Sequence, residues 1–107
     1  MVRGLNKVLM MGLVSSKVEM RYTSSGRPVT AFSISVPHNQ SSEQFNVIAW
    51  GNLAEFCNGN LAPDDQVYLE GRLQTREWQD GNGISRSRTE IIAQEILPIE
   101  LQAEKPY

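Results

Sequence analysis

From Gln66 to Trp78 the chain reads QVYLEGRLQTREW, and QDGNG stands directly behind it. Apolar and polar residues alternate with period two along this stretch, the pattern of a half-buried strand. The residues that follow tolerate positive φ and predict a hairpin turn. A long strand that doubles back at its end leaves few folds open to so short a chain. Parity puts Val67, Leu69, Gly71 and Leu73 on a core face, and Tyr68, Glu70, Arg72, Gln74, Arg76 and Trp78 on the other. That second face gathers aromatics, arginines and an amide along one line. Aromatic rings beside arginines on an open sheet face can stack bases and hold phosphates. A solvated face whose Trp78 packs under a neighbouring loop fits the same pattern, and this stretch alone does not separate the two.

The remaining segments supply the frame. Asn6 to Val14, NKVLMMGLV, is apolar on both faces, which predicts a strand covered on both sides, one cover being another subunit. Gly12 within it signals a bend or a close backbone approach. Ser15 and Ser16 break the run, and Val18 to Thr23 is short and mixed. Ser24 to Pro28 reads as a turn in which Gly26 supplies positive φ. Val29 to Val36 alternates: Thr30, Phe32, Ile34 and Val36 form a greasy side, and Val29, Ala31, Ser33 and Ser35 a side of small residues. A small-residue face accepts either something flat or an ordinary loop. Pro37 to Ser42 reads as a polar connection, with His38, the single histidine, as a loop residue. Glu43 to Trp50 is a further strand, with Phe45, Val47 and Ala49 on one face and Gln44, Asn46, Ile48 and Trp50 on the other.

Asn52 to Leu61 predicts the only helix, with Asn52 as N-cap, Glu55 completing a capping box, and Leu53, Phe56, Cys57 and Leu61 in one apolar stripe. After the Gln66–Trp78 strand and its turn, Ile84 to Leu97 begins as a strand with Arg86 and Arg88 on one side, and frays from Pro98.

With 107 residues the chain predicts one domain with a modest core. A lone cysteine, Cys57, gives no disulfide framework and no cysteine-based zinc site, and reads as a small core residue in a reducing, cytoplasmic protein. MVRGLNK predicts no secretory signal, and no apolar run approaches a membrane span. No carboxylate cluster, His/Cys group or Gly-rich phosphate loop supports an enzyme, and no cofactor or metal is expected. The net charge is −2, which by itself argues against a polyanion partner. Its distribution softens that: residues 1–88 carry nine of the ten Lys/Arg and eight of the twelve Asp/Glu, so the acidity gathers in what reads as a solvated tail.

The order is three strands, a helix and two strands. That is the order of the OB-fold, an all-β, five-stranded, partly open Greek-key barrel that binds oligonucleotides across one face. Residues 1–100 are expected to form it, and 101–107 a short disordered extension.

RGLNKVLMMGLV, RYTSSGRPV, WGNLAEF and above all QVYLEGRLQTREWQDGNG resemble the bacterial single-stranded DNA-binding protein family, from about Arg3 to about Ile92. The resemblance implies sequence-independent binding of single-stranded DNA during replication, recombination and repair, without chemistry, by a homotetramer in the cytoplasm at the nucleoid, with a dimer as the simpler assembly. It implies base stacking by Trp78 and Trp50. Backbone contacts follow from Arg3, Lys7, Arg72 and Arg76, and from Arg86 and Arg88 in the last hairpin. Tyr68 and Gln74 share the outward face and join that set. Arg21 and Tyr22 match the family's R-Y pair without an assigned role. Gln44 stands where many members carry another tryptophan, Phe45 replaces a histidine, and Pro37–Ser42 is shorter than the family's usual arm. The chain ends EKPY, so replication and repair proteins are implied partners without the usual acidic tip that recruits them. The other reading is a primosomal or replication accessory OB domain acting mainly through protein contacts.

Overall fold

The computed structural model describes residues 2–99. It contains β1 (Val8–Val14), β2 (Glu19–Tyr22), β3 (Pro28–His38), β4 (Ser41–Trp50), α1 (Asn52–Asn60), β5 (Gln66–Gln79) and β6 (Ser85–Pro98). The strands lie in the order β1-β5-β6-β4-β3-β2, and β1 pairs again with β3, which closes the ring. The expected five strands and the six observed are the same barrel. β1 pairs with β3 up to Val14↔Ile34, and β2 resumes on the same strand at Glu19↔Ala31. Ser15–Val18 therefore lie against only Phe32 and Ser33, so β2 continues β1 past a bulge. Ser16 patches the gap, its hydroxyl accepting the Ser33 N–H at 2.8 Å.

Closure is uneven. β4 meets β6 in parallel through Val47↔Ile91 and Ile48↔Ile92 alone, whereas β5 and β6 pair along their whole lengths. Glycine is required where strands cross most closely. A Cβ at Gly12 would run into the Ser35 carbonyl oxygen, and one at Gly71 into that of Ile92. The expected close approach at Gly12 is therefore present, and Gly71 has the same cause.

The core consists mainly of Val14, Phe32, Ile34, Val47, Ala49, Val67, Leu69 and Ile91, closed at one end by Ala54, Cys57 and Leu61. Thr30 joins it because its hydroxyl donates to the Ala54 carbonyl at 2.8 Å. Burial pushes the Cys57 thiol up to about 11, in keeping with a core role.

Leu73 departs from the predicted core face: it is 45% exposed. The β1–β5 ladder ends at Val8↔Gly71, so beyond that point, among the described residues, the β1-side edge of β5 has no strand partner, although β5 stays paired with β6 through Leu73↔Ile91. The Asn6 side-chain amide takes the place of a strand, accepting the Leu73 N–H at 2.9 Å and donating to its carbonyl at 2.8 Å.

The helix starts differently from the expectation. Gly51, at φ +64°, is the N-cap, Asn52 is already helical, and no side chain caps the end. The buried stripe contains Ala54 and Cys57, while Phe56 is exposed. Pro37–Ser42 is also no loop. Pro37↔Ser42 and His38↔Ser41 are paired, so His38 ends β3 and the turn is Asn39-Gln40, with Asn39 at φ +55°. Gly26 does take the positive φ expected of it. Pro98 is the last residue of β6, and the Ile99 N–H still donates to Gln66 at 2.8 Å, so the strand does not fray there. The expected disordered extension 101–107 lies outside the described residues. Among the described residues no helix is long and apolar enough to cross a membrane.

Candidate nucleic-acid interface

Strand register assembles one open groove across the barrel. The small-residue side of β3 supplies its floor through Val29 and Ala31, and β4 adds Ile48 and Trp50. A cross-strand row runs Glu19, Ala31, Ile48, Ile92 and Arg72 through β2, β3, β4, β6 and β5. The groove measures about 390 Å³ and is flanked by Arg21 and Tyr22 on one side and by Gln74, Arg76 and Glu90 on the other. A second hollow of about 310 Å³ adjoins it, shares Glu19, Arg21, Arg76 and Glu90, and adds Lys17, Ser33, Asn46 and Arg88. The charged groups lining the two are Lys17, Arg21, Arg76 and Arg88 against Glu19 and Glu90. A chain of net charge −2 thus keeps a locally cationic channel.

The β5–β6 hairpin extends this surface. Trp78 faces Arg86 and Arg76 faces Arg88 across the ladder. Trp78 is 41% exposed and sits in a shallow recess with Arg86 and Ser87. The Arg76 guanidinium lies 5.2 Å from the centre of its ring. The hairpin tip is fixed by Asp80, whose carboxylate accepts from the Ile84 and Asn82 N–H groups and from Arg86 Nε at 3.0 Å. These donors hold its carboxyl below the ordinary carboxylate range, the Ile84 and Asn82 N–H groups first.

Two like charges directly opposite on a ladder repel. The Arg76–Arg88 pair is relieved by Glu90, 3.6 Å from Arg76 Nε and 4.0 Å from Arg88 Nε. Glu90 is only 5% exposed, so it is no part of the solvated acidic tail expected from the charge distribution.

The structure brings Trp50, Gln74, Arg76 and Arg88 to one channel, with Arg72 beside Ile92 at its edge and Trp78 and Arg86 farther out on the hairpin. Three candidates lie elsewhere. Arg3 is on the exposed coil before β1. Lys7 is 3.7 Å from Glu70, and the Tyr68 hydroxyl donates to Glu70 at 2.6 Å, which holds that phenol above its ordinary value. Tyr68 stands between Met11 and Leu97 in register, on the outer side of the β1–β5–β6 sheet rather than in the groove. Twist explains the split: residues of one parity on so long a strand do not stay over one partner.

Sequence reasoning missed Arg27, whose guanidinium lies 4.6 Å from the Trp50 ring centre. It sits in a turn, and only the pairing Val29↔Trp50 brings the two together. Arg21 and Tyr22 were visible as a pair without a role; both line the groove. Arg21 is the register partner of Val29, and so adjoins Trp50 one strand further on.

Residues 5–99 match the single-strand binding protein family. The chain is 37% identical over 106 residues to single-stranded DNA-binding protein 1 of Chlorobaculum tepidum, covering 90% of this chain and 65% of that one. It is 37% identical over 103 residues to the single-stranded DNA-binding protein of Caldanaerobacter subterraneus subsp. tengcongensis, covering 90% and 69%. The chain thus spans about two thirds of the length of these relatives.

Proposed function

We propose that this chain, which belongs to the single-strand binding protein family, binds single-stranded DNA without regard to sequence and protects it during replication, recombination and repair. One observation carries the reading: an open channel with a flat apolar floor, an aromatic in it and another beyond it, and cations on both sides. Bases have π-faces whatever their identity, so stacking tolerates sequence. Trp50 and Trp78 take bases, Gln74 reaches their edges, and Arg72, Arg76, Arg86 and Arg88 hold phosphates. Arg21 joins this set, and Arg27 stands over the Trp50 ring. Arg3 and Lys7 lie off the channel and serve a strand that continues around the barrel. The activity is binding without chemistry, on single strands in the bacterial cytoplasm.

Titration with oligo-dT tests the reading. Tryptophan fluorescence should quench, and affinity should fall with salt by roughly 0.7 in log–log slope per phosphate held. A salt-independent affinity would contradict it. Failure to bind at all would favour an accessory domain that works through protein contacts.

The outer side of β1 supports self-assembly. Leu9, Met11 and Leu13 are exposed there, and Leu97 of β6 is exposed on the far side of Tyr68. The sequence calls for a cover on both faces of β1, and among the described residues only one face has it. A contiguous apolar surface of this kind marks an interface, and a second copy covering it with its own β1 would bury both. The proposed assembly is a homotetramer built from such dimers. Light scattering should give four chains, or two if only the β1 contact forms. A stable 12.0 kDa monomer at micromolar concentration would remove the proposal.

A further inference from the structure

We infer that Glu90 is a built-in competitor for the DNA backbone, a buried carboxylate that holds Arg76 and Arg88 until phosphate displaces it and so sets how tightly and how salt-dependently the channel binds. The inference rests on the single-strand reading above. Three observations carry it. Arg76 and Arg88 are register partners on antiparallel strands, an arrangement that repels unless an anion sits between them. Glu90 is that anion in the free protein, two residues along β6 from Arg88, opposite Gln74, and lining both hollows of the channel.

The pairs are also loose. At 3.6 and 4.0 Å through Nε they are longer than charge-assisted hydrogen bonds, which run near about 2.7–2.9 Å. Both arginine side chains remain about half exposed while Glu90 is buried. Each guanidinium is therefore held through Nε and stays half open to solvent, Arg76 beside the Trp78 ring, where a phosphate can compete for it. A lone solvated acid would be screened and matter little. A buried one is screened less, so its charge acts more strongly on the two cations above it.

Exchange of partners has a defined cost. When phosphate draws the arginines away, Glu90 is left buried with weaker compensation, which opposes binding. Removing its charge while keeping its shape should therefore tighten binding. Glu90→Gln is expected to bind oligo-dT more tightly than the parent in low salt, with a log–log salt slope steeper by up to roughly 0.7, since one opposing charge is removed. Between about 50 and about 200 mM salt, its advantage should shrink by up to roughly threefold. In a background carrying Arg76→Gln and Arg88→Gln, the same change at Glu90 should leave the slope unaltered.

Weaker binding by Glu90→Gln with an unchanged slope would overturn the inference and make Glu90 a scaffold that only poses the arginines. If circular dichroism shows that the Glu90→Gln protein is not folded, Arg76→Gln/Arg88→Gln in the parent decides. The inference expects the slope to fall by clearly less than the roughly 1.4 that two independent phosphate contacts would give. A full drop would refute it. Failure of the parent itself to bind oligo-dT would refute the single-strand reading instead, and the two failures are distinct.

Discussion

Leu69→Ala is expected to cost about 2–5 kcal/mol of folding stability, and Leu73→Ala less than about 1 kcal/mol, although the two share a strand and a parity. Leu69 is fully buried among Val14, Ile34, Val67 and Ile91, and its loss leaves a cavity that a closed barrel cannot collapse. Leu73 lies past the end of the β1–β5 ladder with 45% of its surface in water. Its backbone is held by the Asn6 amide, which the substitution does not touch. Urea unfolding of the two variants and the parent measures both quantities, provided the m-values agree. Equal losses would mean that the hairpin stays packed on the barrel beyond Gly71.

That contrast shows how far the sequence could be read. Alternation reports which way a side chain points, and it placed Val67, Leu69, Thr30, Phe32, Ile34, Val47 and Ala49 on the buried side. It does not report whether anything lies above that side. Leu73 has inward parity, but the strand that would cover it has already ended. The β3–β4 turn fails to show for a related reason. His38, Asn39, Gln40 and Ser41 sit where the ladder projects into water, so they carry no apolar period to mark a strand. The helix start departs from the pattern because Asn52 and Glu55 satisfy a capping box, while the backbone uses Gly51 at φ +64° to make the same turn without a side chain.

The candidate site divides along the same line. Residues on one strand, such as Gln74, Arg76 and Trp78, were legible because a period of two brings them to one face. Tyr68 was grouped with them by the same rule, and the twist of a long strand carries it away to the β1 side. Contacts made across the barrel left no local signal. Arg27 on Trp50 and Glu90 beneath Arg76 exist only through register, Val29↔Trp50 in one case and Gln74↔Glu90 in the other. Charge counted along the chain put Glu90 in an acidic tail. In space it is the buried counter-ion of a cationic channel.

Trp78→Ala is expected to weaken oligo-dT binding by roughly 1–3 kcal/mol, the loss of one base stack, and to leave the thermal midpoint nearly unchanged. The ring stands on the hairpin outside the barrel, 41% exposed, so no core contact goes with it. Trp78→Phe should recover most of the affinity, because a smaller aromatic face still stacks. Trp50→Ala should lose affinity to a similar extent and stability besides. Trp50 is partly buried against β3, and Arg27 lies over its ring at 4.6 Å, a cation–π contact of about 0.5–1 kcal/mol at an accessible site. A base arriving at Trp50 must either displace that guanidinium or take the opposite face. Arg27→Ala distinguishes the two: displacement predicts tighter binding, and a ring held between base and guanidinium predicts weaker binding. Since the chain has only these two tryptophans, each single variant reports the quench of the other. A protein in which Trp78→Ala unfolds while its affinity persists would place that ring in the core, and would separate the hairpin from DNA binding altogether.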